Sequence, residues 1–497
     1  MAMNWTVWAR WSVLGAYFSI LLVLTAYGVH RWYLIWLLYK HRGDGHRPPA
    51  RFERLPRLTV QLPLFNEMYV AERLIDSVCA LDYPRDRLEI QVLDDSTDET
   101  TAIAAALVAR RRAEGFEIFH LHREHRRGYK AGALDGGLRV ARGEFIAIFD
   151  ADFAPQPDFA RELIDHFTDP RVGMVQARWG HLNPHHSPLT RVQSMLLDGH
   201  FVIEHTARNR SGRFFNFNGT AGIWRRTCIE DAGGWQHDTL TEDLDLSYRA
   251  QMKGWDFVFV PDHVAPAELP VEMGAFKSQQ HRWAKGSIQT AQKLLPTLWR
   301  SRLPWRVKIE ATFHLTANFA YLLMVLLALL VVPAVHLRQH VAPWLIAVVD
   351  LPLVLGSTLS VAAFYVVAQR VALGSLRGIF RWVPCLMAIG IGLSINNSRA
   401  VLEALRGRHS EFRRTPKYNL KRGEGLTARR YRGGVNGDTW IELALAVWFA
   451  VGTAWTIQRG LWGAVPFLLL FEAGYAFTAL STLSQSWSRG GVSRADA

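Results

Sequence analysis

Two short apolar runs in this sequence end in carboxylates. "LEIQVLDD" (88–95) closes on Asp94 and Asp95, and "EFIAIFDAD" (144–152) closes on Asp150 and Asp152. Acids that close a buried strand can accept hydrogen bonds from a nucleobase or ribose. In "DDSTDET" (94–100) they equally suit capping of the next helix. Asp150 and Asp152, at i and i+2, offer oxygen ligands to a hard divalent cation, and Mg²⁺ or Mn²⁺ held this way also takes substrate phosphates. A solvated turn is the other reading. Lys130 in "RRGYKAGALDGG" (126–137) precedes small residues that let a helix pack closely. It suits a phosphate partner or an exposed helical lysine, and the spacing is not that of a P-loop. "LTEDLDLSYRAQMKGW" (240–255) reads as a helix start, with Thr241 as N-cap and Glu242, Asp243 and Asp245 in the first turn. It also offers a carboxylate base for a hydroxyl nucleophile. In "SQQHRWAKG" (278–286), Arg282 can neutralise phosphate through two hydrogen bonds. Trp283 can lie against a sugar face or in a membrane interface. Each stretch alone suits a structural role. Their order does not: acid pair, lysine, D-x-D, acidic helix start, Arg-Trp, then a long uncharged run.

The elements that must position these residues are legible from periodicity. Runs at 58–65, 88–95, 144–152 and 172–179 have strand character. Helical spacing at 70–81 and 100–115 falls between them. This alternation predicts βαβ units and a mostly parallel sheet over about residues 56–304. In such sheets ligands sit at the carboxyl ends of the strands, where the acids are.

The 497 residues are 49% hydrophobic and 20% charged, with a formal net charge of +13. That balance predicts a chain part membrane and part soluble, facing anionic substrates or lipids. Three unrelated cysteines (Cys79, Cys228, Cys385) exclude a disulfide framework and a cysteine zinc site. Basic residues concentrate in loops beside apolar runs, which argues against nucleic-acid binding. Residues 11–29, 315–335, 351–368, 443–457 and 461–482 read as spans of the roughly 30 Å hydrocarbon core; the first is expected to stay as an anchor. Arg370, Arg377 and Arg381 on one side of 382–395, and ten Lys or Arg within 404–432 on the other, predict cytoplasmic loops by charge. The segment between is then expected to be interfacial or re-entrant, giving five spans with the N-terminus outside; six is the alternative. Asp350, Glu442 and Glu472 lie in or beside apolar runs and should face protein or a wet path, some of them lining a polysaccharide channel. For Glu442, an interface position near a helix end is favoured.

The ordered set "DDS", "DAD", "TED" and "QQHRW" resembles the D, DxD, TED and Q(Q/R)xRW signature of inverting family 2 processive glycosyltransferases. With "VQLPLFNE", "GYKAGAL", "VQARW" and "FNGTAGIWR" it is most similar to the cellulose-synthase-like proteins that make mannan, glucomannan and the glucan backbone of xyloglucan. The resemblance covers about residues 55–295. It implies an α/β glycosyltransferase-A (GT-A) domain, Rossmann-like with a mostly parallel sheet, inserted between transmembrane helices. The implied layout is an N-terminal span and basic linker (1–50), a cytosolic GT-A domain (51–300), C-terminal helices (301–487) with a gating-like loop (404–436), and a tail (488–497). By resemblance Asp95, with Asp94 near it, holds the nucleoside, and Lys130 contacts the diphosphate. Asp150 and Asp152 hold Mg²⁺ or Mn²⁺, and Asp150 faces the donor too. Asp243, beside Glu242, is the base; Arg282 neutralises the leaving nucleotide. Trp283, Gln279 and the stretch Asn218, Gly219, Thr220 receive the acceptor. Asn218 and Thr220 stand where cellulose synthases have Cys and Ser, which argues against strict glucose specificity. Phe412, Thr415 and Lys417 match the F-x-x-T-x-K gating pattern. The implied partners are GDP-mannose or UDP-glucose, a growing β-linked polysaccharide, the lipid bilayer and accessory export proteins. The implied location is a bacterial inner membrane, or the Golgi in a eukaryote. A C-terminal cyclic-dinucleotide module is not expected. The competing enzyme class is a single-addition transferase making a β-glycolipid on diacylglycerol or ceramide; the gating-like stretch and multiple C-terminal spans favour the polymerase. A binding protein with a decayed transferase fold is the non-enzymatic alternative, and the intact signature acids argue against it.

Overall fold

The computed structural model describes residues 5–338, 343–408, 414–419 and 437–490. Phe412 lies outside the described residues.

Seven strands form one sheet: β1 (Leu58–Leu64), β2 (Leu88–Asp94), β3 (Glu117–His122), β4 (Phe145–Ile148), β5 (Val172–His181), β6 (Gly222–Arg225) and β7 (Asp256–Ala267). Their order is β3-β2-β1-β4-β6-β5-β7. Pairing is parallel except for β6, which runs antiparallel to β4 and β5. The four strands expected from apolar runs are present, and three others were not legible. β3, "EIFHLH", has two histidines among its apolar residues. β6 is only four residues long. β7 contains Pro261 and Pro266, and proline is tolerated there because β7 is an edge strand. Its pairing with β5 also shifts register between Ala177 and Arg178. β4 stops at Ile148, earlier than the apolar run suggests. Asp150 and Asp152 therefore sit in the turn beyond it, as ligands at a strand end require.

Helices cover both faces. Buried Val70, Leu74, Ile75, Leu107 and Phe159 pack on one side with Val60, Val92 and Phe145. Leu134, Leu138, Trp224, Leu246 and Phe257 pack on the other. The helix Tyr129–Val140 lies close to the sheet because of its small residues. A Cβ at Gly137 would come within 2.6 Å of Gln61 and 2.8 Å of Gln91, so a larger side chain would lift Lys130 off the strand ends.

Among the described residues, five helices are long and apolar enough to cross a membrane: Trp8–Lys40, Phe319–Leu337, Val348–Leu373, Gly437–Gln458 and Val465–Ser486. They correspond to the five expected runs. The ambiguous segment forms Ile379–Gly392 and Ser394–Leu405, bent by 41° at the break. It thus has the bend that a re-entrant helix or a broken sixth span requires.

The long helix Met273–Arg300 joins the two parts. Gln279, Arg282, Trp283 and Gly286 follow i, i+3, i+4, i+7 and share one face, turned to the sheet's carboxyl edge. Lys277, His281 and Lys285 share the opposite face. Lys277 Nζ lies 2.5 Å from Glu442, and Lys285 Nζ and His281 Nε2 lie 3.0 and 3.4 Å from Glu403. Glu442, near the start of the helix Gly437–Gln458, thus faces protein, fully buried against a lysine of the long helix. Asp350 pairs with Arg338 at 2.5 Å, and Glu472 accepts a 3.4 Å hydrogen bond from Thr453.

Candidate active site

A cavity opens at the carboxyl ends of β1, β2 and β4, roofed by the segment 414–419. It is lined by Asp95, Lys130, Asp150, Asp152, Asn218, Gly219, Glu242, Asp243, Gln279, Arg282, Trp283, Thr415 and Lys417. Each of these was singled out in the sequence. Two others are elsewhere. Thr220 is fully buried beneath the cavity, where its hydroxyl accepts the Asp150 N–H at 2.9 Å. It fixes the turn that carries the D-x-D pair and does not face an acceptor. Asp94 points away from the cavity. His120 Nε2 and His122 Nδ1 lie 3.0 and 3.2 Å from its Oδ2, and the Ser96 N–H donates to its Oδ1. Burial disfavours its charge, but the His120 and Ser96 hydrogen bonds outweigh this and hold its carboxyl well below the usual range.

Asp95 sits at the cavity edge, gripped by the Arg123 guanidinium through bonds of 2.7 and 2.5 Å. The Arg-carboxylate fork fixes its direction.

Lys130 Nζ lies 2.5 Å from Asp150 Oδ1 and donates to the Gly219 carbonyl at 2.9 Å. Burial works against its charge, yet Asp150, Glu242 and Asp243 hold its pKa above the ordinary value. Burial raises the Asp150 pKa even with Lys130 beside it. Lys417 Nζ lies 2.5 Å from Asp152 Oδ2 and also donates to the Glu268 carbonyl. Two carboxylates at i, i+2, both open to the cavity, are a donor set suited to a hard dication. Each is balanced by an ammonium group that such an ion would displace. Among the described residues, Asp94, His120 and His122 also bring three ligand atoms within 4.8 Å of one another, but none of the three lines the cavity.

The acidic helix Glu242–Met252 points its first turn at the cavity. Thr241 does not cap it by side chain; its hydroxyl lies 3.3 Å from that of Thr290 on the long helix. The expected capping role is therefore absent, and the helix start is held by packing on the long helix. Burial, then Glu242 beside it, pushes the Asp243 carboxyl up to about 7. Arg282 is buried among Glu242, Asp150, Asp243 and Asp152, and its desolvation lowers its pKa. A base that titrates near neutrality faces a buried cation across the cavity, an arrangement that can move a proton and receive an anion.

Four lining residues with polar side chains, Glu67, Arg414, Trp179 and Arg126, carry no assignment from the sequence. Glu67 follows β1 and pairs with Arg414 at 2.8 Å; burial raises its pKa to about 8. Its place after a strand end was the available signal. Trp179 closes "VQARW", and its buried indole N–H has no partner among the described residues. Arg126 completes the set. Arg123, outside the lining, was illegible because its bond to Asp95 depends on the β2–β3 register.

The mostly parallel α/β sheet, covered by helices on both faces and with acids, cations and an aromatic ring gathered at its strand ends, has a GT-A-like layout. Residues 56–286 match the family described as "Glycosyltransferase like family 2". The rice (Oryza sativa subsp. japonica) protein "Glucomannan 4-beta-mannosyltransferase 1" is 42% identical over 279 residues, 55% of this chain and 53% of that one. "Glucomannan 4-beta-mannosyltransferase 2" of Arabidopsis thaliana is 44% identical over 252 residues, 50% and 47% of the two chains. The chain spans about half the length of these curated relatives. Among solved structures, the mannosyltransferase PcManGT from Pyrobaculum calidifontis, in complex with GDP-Man and Mn²⁺, superposes with a TM-score of 0.51 at 21% identity. The match covers 79% of this chain and 100% of that one. At that identity the likeness bears on the fold alone.

Proposed function

We propose that this protein is a membrane-embedded, processive, inverting hexosyltransferase that extends a β-1,4-linked mannan or glucomannan from GDP-mannose. UDP-glucose is the second donor to test. The carrying observation is one cavity that gathers Asp95, Lys130, the D-x-D pair, Asp243, Arg282 and Trp283. The names of the relatives support the sugar and the linkage. They favour a polymer over a glycolipid.

Asp243 takes the proton of the acceptor hydroxyl. The acceptor oxygen forms a bond to the anomeric carbon while the bond from that carbon to the diphosphate breaks. The electron pair leaves with the nucleotide. One displacement inverts the centre, so an α-linked donor gives a β-glycoside. Arg282 and Lys130 stabilise the charge that grows on the diphosphate from buried positions, where each interaction is stronger than in bulk water. Asp150 and Asp152 would hold Mg²⁺ or Mn²⁺, which when bound adds Lewis-acid stabilisation of the same charge. The cavity lining carries six carboxylates (Glu67, Asp95, Asp150, Asp152, Glu242, Asp243) and five cations (Arg126, Lys130, Arg282, Arg414, Lys417). A dication and a dianionic diphosphate entering together leave that balance unchanged. Trp283 offers the acceptor ring a flat apolar surface. The apolar helices support an integral membrane protein; a cytosolic catalytic face and coupled export through the membrane are part of this proposal.

The test uses purified protein in lipid nanodiscs with Mn²⁺ or Mg²⁺. Radiolabelled GDP-mannose and UDP-glucose are offered singly and together, and the products are digested with β-1,4-mannanase and β-1,4-glucanase. A mannanase-sensitive ladder is expected. Label confined to a lipid extract would establish the glycolipid reading, and no incorporation from either donor would end both.

A further inference from the structure

The residues Gly199–His205 form a π-helical turn between Pro188–Asp198 and Thr206–Arg210. Such turns are rare and cluster at functional sites. In an α-helix two residues five apart point about 140° from each other. The wider turn instead brings His200 and His205 together, with ring centroids 4.3 Å apart. Both rings meet one side chain, Asn218, which lines the cavity.

The hydrogen-bond directions are fixed by exclusion. His205 Nε2 lies 3.0 Å from the Asn216 carbonyl and 2.7 Å from Asn218 Oδ1. A carbonyl only accepts, so Nε2 carries the proton and donates to both. His205 Nδ1 is buried with no partner among the described residues, as the bare nitrogen of that tautomer would be. Burial, His200 and Arg208 hold its pKa well below the ordinary value, which keeps the ring neutral. With its oxygen committed to His205, Asn218 donates one N–H to His200 Nε2 at 2.8 Å. His200 Nδ1–H then donates to Glu204 at 3.0 Å. The chain continues from Glu204 to Arg208 at 3.0 Å, to Glu310 at 2.9 Å and to His30 at 2.9 Å on the first membrane helix. The second Asn218 N–H has no partner among the described residues.

We infer that His200 and His205 are positioning residues that clamp the Asn218 carboxamide in one of its two flipped orientations, so that its remaining N–H is presented to a hydroxyl of the acceptor sugar. Unclamped, an amide presents oxygen or nitrogen to the cavity with similar ease. Clamped, it offers a donor only, and it discriminates among acceptors by where they place a hydroxyl oxygen. The anchor on His30 ties that choice to the first membrane helix. The inference rests on the transferase reading and names residues beyond it.

The experiment measures initial rates of the full-length protein in nanodiscs with GDP-mannose and β-1,4-manno-oligosaccharide acceptors. The variants are His200→Ala, His200→Gln, Asn218→Asp and the double His200→Ala/Asn218→Asp. Loss of one hydrogen bond is worth about tenfold. His200→Ala and Asn218→Asp should each raise the acceptor KM about tenfold. In His200→Ala, donor KM, and donor hydrolysis without acceptor, should change by less than about twofold. The double variant should be no worse than the worse single, because both remove one interaction. His200→Gln, whose side-chain oxygen can accept in place of Nε2, should recover most of the loss. Unchanged acceptor KM in folded His200→Ala, additive losses in the double variant, or equal losses in donor and acceptor KM would each overturn the inference. A wild-type protein that turns over no nucleotide sugar would instead remove the transferase reading.

Discussion

Lys417 Nζ lies 2.5 Å from Asp152 Oδ2, across 265 residues of sequence. The segment 414–419 is thereby seated on the D-x-D pair. It is held there by Glu268, which accepts the backbone N–H groups of Tyr418 and Asn419 and pairs with Arg73. On the proposed metal-holding role of the D-x-D pair, an ammonium group and a dication would compete for one carboxylate. Lys417→Met should therefore lower the Mn²⁺ concentration needed for half-maximal activity, by on the order of tenfold. It should also lower maximal rate if the lysine next contacts the donor. Metal titrations of GDP-mannose turnover read both. A higher metal requirement in the variant would mean that Lys417 assists metal binding.

With Asp243 as the proposed base, its carboxyl should set the pH dependence. A carboxyl acts as base only when ionised, and burial with Glu242 alongside pushes this one up to about 7. Below that pH the proton stays on and the base is lost. The wild-type kcat/KM should thus fall about tenfold per unit as pH drops below about 7, and level off above it. Asp243→Asn should cost about 10²- to 10⁴-fold and flatten that limb. A wild-type profile without an acid limb between about pH 6 and 8 would assign the proton transfer to another group.

The side chains gathered in the cavity were legible because each is announced locally. Asp150, Asp152 and Asp95 end apolar strands. Lys130 sits among small residues, and Arg282 and Trp283 follow helical spacing with Gln279. What the sequence concealed is which atoms these groups touch without substrate. Asp94 and Asp95 are adjacent and alike in type, yet one turns to His120 and His122 and the other to Arg123. That divergence is set by strand alternation and by pairing with β3, a strand whose histidines hid it. Thr220 read as part of the acceptor motif, but the tight turn below β4 needs its hydroxyl for the Asp150 N–H. The membrane runs were legible from hydropathy alone, whereas the partner of Glu442 required the packed helix Met273–Arg300.

That partner gives a stability prediction. Lys277 and Glu442 are 4% and 0% exposed, and Lys277 also donates to Thr482. Removing one member leaves a buried charge without its counterion. Glu442→Ala should destabilise the protein by about 3–5 kcal/mol. The double change Lys277→Met/Glu442→Leu should recover most of that, since the two charges leave together. Thermal unfolding in one detergent, with all variants in parallel, compares them. Equal loss in the single and the double variant would show that the unpaired charge left on Lys277 is not what destabilises Glu442→Ala.

Gly286 closes the stretch that carries Arg282 and Trp283, and it is where the long helix meets the acidic one. A Cβ there would lie 2.5 Å from Thr241 Cγ2, 2.6 Å from its hydroxyl and 2.9 Å from its backbone nitrogen. The backbone contact cannot be relieved by a rotamer change, so Gly286→Ala must push the start of the acidic helix away from the long one. Overpacking of this kind costs about 1–3 kcal/mol. The larger effect should be on chemistry, because the displaced turn carries Asp243 while Arg282 stays on the other helix. A shift near 1 Å is enough for about a hundredfold loss. We expect Gly286→Ala to lower kcat by that order, with donor KM little changed. Adding Thr241→Ser, which removes the nearest carbon, should restore part of the rate. If donor KM rose and kcat held, the displaced element would be the long helix with Arg282, and not the base.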